Sequence, residues 1–182
     1  KDQQLFAELP KEFGNQRHYL ALTVASGDDY AGLQAGDLYF YWKPYGKRIA
    51  MVTPELDIRS TGDKASQDSI KRLFTDRVVL DLPIETMVPN GGPLIDLDAL
   101  VVGAAEKFFG AEAAGANKGI YKIKTAKAFA NNIEVGVEMP TAGGKLRTFH
   151  YSFSLIPDNT GYQPRPADER VGYFTTSYTD FG

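Results

Sequence analysis

The sequence contains no cysteine, two histidines and one tryptophan among its 182 residues. The absence of cysteine excludes disulfides, thiolate zinc ligands and cysteine nucleophiles. The two histidines, His18 and His150, are far apart, and neither has a second ligand at the spacing of a zinc motif such as H-E-x-x-H. We therefore expect neither a metal centre nor a bound cofactor in this chain.

Clustered basic residues and long apolar segments are also missing. The 20 lysines and arginines are scattered and are outnumbered by 23 aspartates and glutamates, which gives a net charge of -3. This pattern lacks the basic patch of a nucleic-acid-binding protein, so no nucleic-acid partner is expected. The apolar runs are much shorter than the roughly 18 residues that span a bilayer, and we expect no membrane span.

Aromatic residues, in contrast, are abundant and occur in alternating runs. Ten tyrosines and eleven phenylalanines favour strands over helices. Apolar alternation predicts a clear hairpin with arms over 133–139 and 149–155 and a turn at 141–144. Further strands are predicted where apolar runs lie between turn residues, at 4–10, 18–25, 38–42, 48–53, 78–84 and 94–97. The sequence therefore predicts an α+β fold that is predominantly antiparallel β and rich in hairpins.

One helix is predicted near residues 98–109. Asp98 stands at its N-cap position, apolar residues follow at helical spacing, and Gly110 provides a stop. The segment 69–75 also has apolar residues at helical spacing but remains ambiguous, and 63–68 is predicted to be a polar loop.

Turn-forming residues near Gly161 mark the end of the alternating apolar pattern. We predict a single β-rich α+β domain over 1–161 and a linker or tail over 162–182. The chain begins at Lys1 without an initiator methionine, so we expect it to be part of a longer protein whose export signal lies outside this sequence.

The carboxylate pairs are the first candidates for chemistry. Asp28 and Asp29 are adjacent, and Asp96 and Asp98 are separated by one residue. Such pairs bind Ca²⁺ only with further ligands, which the sequence does not place nearby. A turn and a helix cap are the structural alternatives that we favour.

Nucleophile and phosphate motifs are absent as well. No G-x-S-x-G elbow occurs, and the pairs Gly91–Gly92 and Gly143–Gly144 lack the flanking residues of phosphate-binding loops. Both pairs are expected to form turns.

A run of aromatic residues near 39–45 offers a candidate ligand surface at Tyr39, Tyr41 and Tyr45. Aromatic rings of this kind stack on sugars or peptides. Because alternate residues of a strand face opposite sides, one set must face the core, and the other set could equally serve cross-strand packing. Both alternatives remain open from the sequence.

The C-terminal part of the chain resembles a known family. The specific part is Pro-Arg-x-x-Asp-x-Arg-Val-Gly-Tyr-Phe, at 164–174, which follows the strand 150–157. Weaker matches lie upstream, at 19–27, 48–52, 59, 94–97 and 132–135. Together they resemble the domain of unknown function that precedes the catalytic domain in large bacterial zinc-dependent, met-zincin-like proteases.

This resemblance implies an exported parent protein, periplasmic or at the cell surface, that hydrolyses peptides with zinc. The zinc ligands would belong to a neighbouring protease domain and not to this chain. Residues near the junction are candidates for contact with that domain, namely Arg165, Asp168, Arg170, Tyr173 and Phe174. Solvated linker charges are the alternative for the three charged residues.

Three functional hypotheses follow. The leading one is a non-catalytic accessory or pro-region-like module whose partner is the protease domain of the same polypeptide. The second is a module that binds a peptide or glycan through its aromatic-rich sheet surface. The third, an independent hydrolase, requires convergence of at least two residues among Asp28, Asp29, Asp96, Asp98, Glu134 and His150.

Overall fold

A computed structural model describes residues 4–159, 161–163, 166, 168–170 and 177–182. The strands are β1 (Phe6–Glu8), β2 (Arg17–Ser26), β3 (Gln34–Tyr45), β4 (Arg48–Thr53), β5 (Ile58–Arg59), β6 (Arg77–Met87), β7 (Pro93–Asp96), β8 (Lys122–Ala128), β9 (Asn132–Pro140), β10 (Leu146–Ile156) and β11 (Thr179–Asp180). The α-helices are α1 (Lys64–Leu73), α2 (Asp98–Val101) and α3 (Ala105–Phe109). Short 3-10 helices lie at Phe13–Asn15, Gly110–Ala113 and Ala142–Gly144.

Nine of these strands form one sheet that curves into a half-barrel. Its order is β1-β7-β6-β4-β3-β2-β10-β9-β8, and every neighbouring pair is antiparallel. Most pairs are hairpin neighbours in sequence, whereas β2 pairs with the distant β10, with His18 opposite Leu155. The predicted antiparallel, β-rich α+β fold is confirmed.

The core lies on one face of this sheet, under α2 and α3. Alternate residues of β2 and β10 point to it, and Leu20, Phe149 and Tyr151 have no exposed surface. Phe109 of α3 packs on Phe149 with ring centroids 4.6 Å apart. The Tyr151 hydroxyl donates to the Val101 carbonyl at 2.8 Å, which satisfies its polar group inside the core.

The 98–109 stretch is helical in two short pieces. A Cβ at Gly103 would lie 2.5 Å from the Ala99 carbonyl oxygen, so the backbone between α2 and α3 packs too closely for any larger residue. The N-cap prediction for Asp98 is wrong, because Leu97 holds that position. The Asp98 carboxylate instead accepts the Leu5 backbone N–H at 3.2 Å and so anchors the chain entering β1.

Helix α1 corrects the prediction of a loop over 63–68. Asp63 is its N-cap and accepts the Ser66 backbone N–H at 2.8 Å, which fixes the first turn. No residue of α1 is fully buried. Its large apolar residues are Ile70 and Leu73, both within the segment 69–75 that the sequence left ambiguous.

The loop predicted at 43–47 is shorter in the structure. Strand β3 continues through Tyr45, which pairs with Arg48. Only Gly46 and Lys47 form the turn, and Gly46 has a φ of 60°, in the left-handed region that glycine adopts without strain. The longer strand makes Tyr45 the last residue of β3, on the side of the sheet that faces α1.

The last described residues, 177–182, return to the domain. Strand β11 pairs in parallel with β5, with Thr179 opposite Ile58 and Asp180 opposite Arg59. The Arg59 guanidinium lies 3.4 Å from the ring centroid of Tyr178. Aromatic residues of the predicted tail thus find a surface on β5. In the part of the chain that the structure describes, no helix is long and apolar enough to cross a membrane.

Candidate functional site

An open cleft of about 570 Å³ lies between the sheet and α1. One wall is formed by β3, β4 and β6, and the other by β5, α1 and the segment after α1. We call it the tyrosine cleft, and the lining residues used below are Tyr41, Lys43, Tyr45, Arg59, Phe74 and Asp76.

The alternation of β3 places the tyrosines on the cleft side. Phe40 and Trp42 point to the opposite face and are buried in the core. Tyr41 and Tyr45 therefore both line the cleft. Tyr39, the third residue of the predicted ligand surface, is half-buried and pairs with Tyr19 of β2, outside the cleft wall.

Tyr41 is held in place by its neighbours. Its hydroxyl donates to the Asp76 carboxylate at 2.5 Å, and the Arg17 guanidinium lies 4.6 Å from its ring centroid. The other Asp76 oxygen accepts the Glu55 backbone N–H at 3.1 Å. Burial and the Asp76 carboxylate raise the pKa of Tyr41 to about 12, so the phenol stays protonated at neutral pH.

Tyr45 is the exposed counterpart of Tyr41. Its side chain is 53% exposed, and its only described ring contact is with the Lys43 ammonium, 5.5 Å from the ring centroid. A ring that keeps half of its surface in water has a face free for stacking. This residue is the part of the cleft most available to a partner.

Groups of both charge signs surround these rings. Lys43 and Arg59 supply cations, and Glu55 and Asp76 supply carboxylates. Across the cleft, Phe74 stacks on Phe181 of the C-terminal segment with centroids 6.5 Å apart. The cleft therefore combines aromatic faces with charges of both signs. This combination suits a polypeptide better than a ligand of one charge sign.

The candidates for interdomain contact are only partly within the described residues. Arg165, Tyr173 and Phe174 lie outside them. Asp168 and Arg170 form an ion pair with each other at 2.6 Å, and the Arg170 side chain is 87% exposed. Their contact with another domain remains a prediction.

The carboxylate pairs are engaged in local structure. Asp28 forms a salt bridge with Arg147 at 3.0 Å. Asp96 accepts the Asp98 backbone N–H at 2.9 Å, as a turn would require. Burial raises the pKa of Asp98, which lies among apolar neighbours. In the described ranges no group of three or more His, Cys, Asp or Glu residues is placed to hold a metal ion.

Glu134 and His150 do converge, but they are not among the residues that line the tyrosine cleft. They lie on adjacent strands β9 and β10, with His150 Nε2 2.6 Å from the carboxylate. Ser152 donates to Glu134 at 2.8 Å and not to the imidazole. Burial alone would raise the pKa of Glu134, but the hydrogen bonds from His150 and Ser152 outweigh it and lower that pKa. In this order the histidine is not placed to take the serine proton, as a catalytic triad needs.

Sequence reasoning missed the α1 side of the cleft. Phe74 belongs to a segment that was left ambiguous, and no site role was predicted for Arg59 or Asp76. The only sequence signal was the helical spacing that ends at Phe74.

The fold and the cleft define a β-rich half-barrel module with an open aromatic groove. Residues 32–182 match the model of the family described as Domain of unknown function (DUF5117), and the chain belongs to this family. No curated protein and no solved structure matches the chain.

Proposed function

We propose that this chain is a non-catalytic protein-interaction module that binds a polypeptide partner in the tyrosine cleft. The observation that carries this proposal is the cleft itself, about 570 Å³ in volume and lined by one fixed and one exposed tyrosine. Tyrosine side chains supply large contact areas at low entropic cost and are enriched among the residues that dominate binding energy.

The fixed and exposed tyrosines have different roles in this proposal. Tyr41, held by Asp76, is a preorganised wall that loses little entropy on binding. Tyr45 is free to cover an incoming side chain. Lys43 would pair with acidic groups of the partner and favour association, whereas Arg59 already pairs with Asp180 at 3.1 Å.

The partner that we propose is a zinc-dependent protease domain of the same polypeptide, in an exported bacterial protein. The support is the resemblance of 150–157 and 164–174 to the segment that precedes such domains. Docking of this module would help the protease to fold, hold it inactive or select its substrates. The zinc and the hydrolytic residues would belong to that domain.

A glycan or a free peptide is the second candidate occupant. The observation that favours it is the exposed ring of Tyr45 beside the Lys43 ammonium, because sugars stack on such rings. In this case the protease domain would not compete for the cleft.

The direct test is calorimetric titration of the chain with the separately expressed protease domain of its parent. We expect saturable binding that Tyr45→Ala weakens at least tenfold, since buried tyrosines at interface centres commonly contribute about 2 kcal/mol. Tyr30→Ala is the matched control. Tyr30 is 75% exposed and lies before β3, whereas Tyr45 is the last residue of β3. Removal of the Tyr30 side chain should therefore not change the affinity.

Two outcomes would contradict the docking proposal. One is no binding of the protease domain by a folded chain. The other is equal loss of affinity in both tyrosine variants. Binding of a glycan array component that Tyr45→Ala abolishes, without binding of the protease domain, would establish the second candidate in its place.

A further inference from the structure

A second cleft, about 310 Å³ in volume, opens at one end of the half-barrel. It lies between the edge strand β1 and the turn that joins β8 to β9, with the ends of β2, β3 and β10 at its base. We call it the apolar cleft, and the lining residues used here are His18, Phe40, Trp42, Phe129, Ile133 and Phe153. Its volume is at the low end of the roughly 300–1,000 Å³ of pockets that hold small organic ligands.

The walls of this cleft are dominated by aromatic rings. Phe40 contacts Trp42 and Phe153 edge to face, with centroids 5.4 and 6.5 Å away. Phe129, in the turn after β8, is 58% exposed beside the opening. Phe40 and Trp42 are buried behind this wall, so a planar aromatic body would pack on the partly exposed rings of Phe129 and Phe153.

His18 is the polar group set into this aromatic lining. Its imidazole stacks on Phe40 with centroids 5.1 Å apart and 21° between the ring planes. In the described part of the chain, its Nδ1 is buried without a hydrogen-bond partner. A buried nitrogen of this kind is destabilising until a hydrogen-bond partner is supplied.

The imidazole can present that nitrogen to a ligand. The outer torsion of a histidine side chain is broad and roughly two-fold, so rotation exchanges the two edges of the ring at the cleft. A neutral imidazole carries one donor and one acceptor nitrogen. It can therefore either donate a hydrogen bond to a hydroxyl group or accept one from it.

The charges around the cleft favour a neutral ligand. Burial, and secondarily the Arg17 guanidinium, lowers the pKa of His18 to about 4, so the ring is uncharged at neutral pH. Among the residues that line the cleft, Glu8 is the charged one, and its carboxylate would repel an anion. The Arg17 guanidinium lies over the Tyr41 ring and is not among these lining residues. A carboxylate ligand would therefore meet a neutral ring inside and a like charge at the opening.

We propose that the apolar cleft binds a small neutral aromatic molecule that carries a hydroxyl group, with the ring between the phenylalanines and the hydroxyl against His18. This site is separate from the tyrosine cleft, and the proposal does not depend on the function proposed for that cleft.

The test uses Trp42 as its reporter, because it is the only tryptophan of the chain and it lines the cleft. The native chain is titrated at neutral pH with para-butylphenol, butylbenzene and para-butylbenzoate, which share one body and differ in the head group. We expect a saturable change of Trp42 emission with the phenol. Butylbenzene should bind about tenfold more weakly, which corresponds to one hydrogen bond of about 1.4 kcal/mol, and the benzoate more weakly still.

Variants then assign the hydroxyl partner. His18→Phe keeps an aromatic ring and should weaken the phenol about tenfold while leaving butylbenzene unchanged. His150→Phe, the same substitution at the other histidine, and Tyr45→Ala in the tyrosine cleft should leave all three affinities as they are.

The proposal is overturned if the phenol gives no saturable change in Trp42 emission, if butylbenzene binds as tightly as the phenol, or if the benzoate binds most tightly. These comparisons use the native chain and hold even if His18→Phe fails to fold. A negative result here with intact protease-domain binding would remove only the apolar cleft proposal.

Discussion

Gly27→Ala is expected to lower the free energy of unfolding by about 2–5 kcal/mol. Gly27 follows β2 with a φ of 85°, a conformation that costs an L-residue about 1–2 kcal/mol. A Cβ here would also lie 2.1 Å from the Leu146 carbonyl oxygen and 3.0 Å from the Arg147 Cα. Relieving such a backbone clash adds about 1–3 kcal/mol of overpacking strain.

Gly32→Ala provides the matched control for this prediction. Gly32 has a φ of 90° in the same loop, but a Cβ there would meet nothing within 4 Å. We expect it to cost only the backbone strain of about 1–2 kcal/mol. Urea unfolding of both variants measures the difference. Equal losses would show that Gly27 is required only for its dihedral angle and not for its contact with β10.

The contact at Gly27 matters because Arg147 ties three segments together there. Its guanidinium pairs with Asp28 at 3.0 Å and with the Glu112 carboxylate at 3.2 Å. The Arg147 side chain is only 17% exposed, so these pairs are less screened than surface ion pairs. The pairing also accounts for Asp28, which stabilises this junction.

The second large effect is a loss of stability in mild acid that depends on His18. In the unfolded chain the imidazole has an ordinary pKa near 6.5, whereas burial lowers the pKa in the folded chain to about 4. Protons therefore bind the unfolded state first as the pH falls. The stability from the neutral ring is complete above pH 6.5, declines between 6.5 and 4, and levels off below that range.

We expect His18 to account for about 2 kcal/mol of this decline. A full shift of this size is worth about 3 kcal/mol, and partial exposure of the ring reduces it. The measurement is urea unfolding of the native chain, His18→Phe and His18→Gln at pH 7 and pH 4.5. Carboxylates such as Asp28 and Glu134, whose pKa values are lowered, contribute equally to all three proteins.

The difference between native chain and variants isolates the imidazole. Both variants should lose about 2 kcal/mol less than the native chain over this range. If all three proteins lose the same stability, His18 is not held neutral by the fold.

The hairpins were predictable because their pattern is local. Residues 133–139 and 149–155 alternate with period two around a glycine turn, and the structure pairs them as β9 and β10. The order of the whole sheet was not predictable in this way. It depends on the pairing of β2 with β10, which are far apart in sequence, and no local signal specifies such a partner.

The helices show where local pattern fails. The 98–109 stretch has helical spacing throughout, but packing at Gly103 divides it. Helix α1 is the reverse case, a helix that the sequence did not predict. Its Asp63 cap and its length are clear only in the structure, and its apolar side is not fully buried. A close backbone approach at Gly103 accompanies the break in the first case, and a local cap fixes the helix in the second.

Only one side of the tyrosine cleft was predictable from the sequence. Tyr41 and Tyr45 were named from the aromatic run in β3, and both line the tyrosine cleft. Phe74 and Asp76 form its other side, and nothing in their sequence neighbourhood connects them with β3. The apolar cleft was missed entirely, since His18 reads as an ordinary strand residue.

The central claim, that the tyrosine cleft binds the protease domain, is tested most directly by hydrogen exchange of the chain with and without that domain. Helix α1 has no fully buried residue, so its amides should exchange readily in the free chain. The account predicts slower exchange in α1 and at the β3–β4 turn on binding, with β8 at the far edge of the sheet unchanged. Unchanged exchange throughout, or protection confined to β8 and β9, would contradict it.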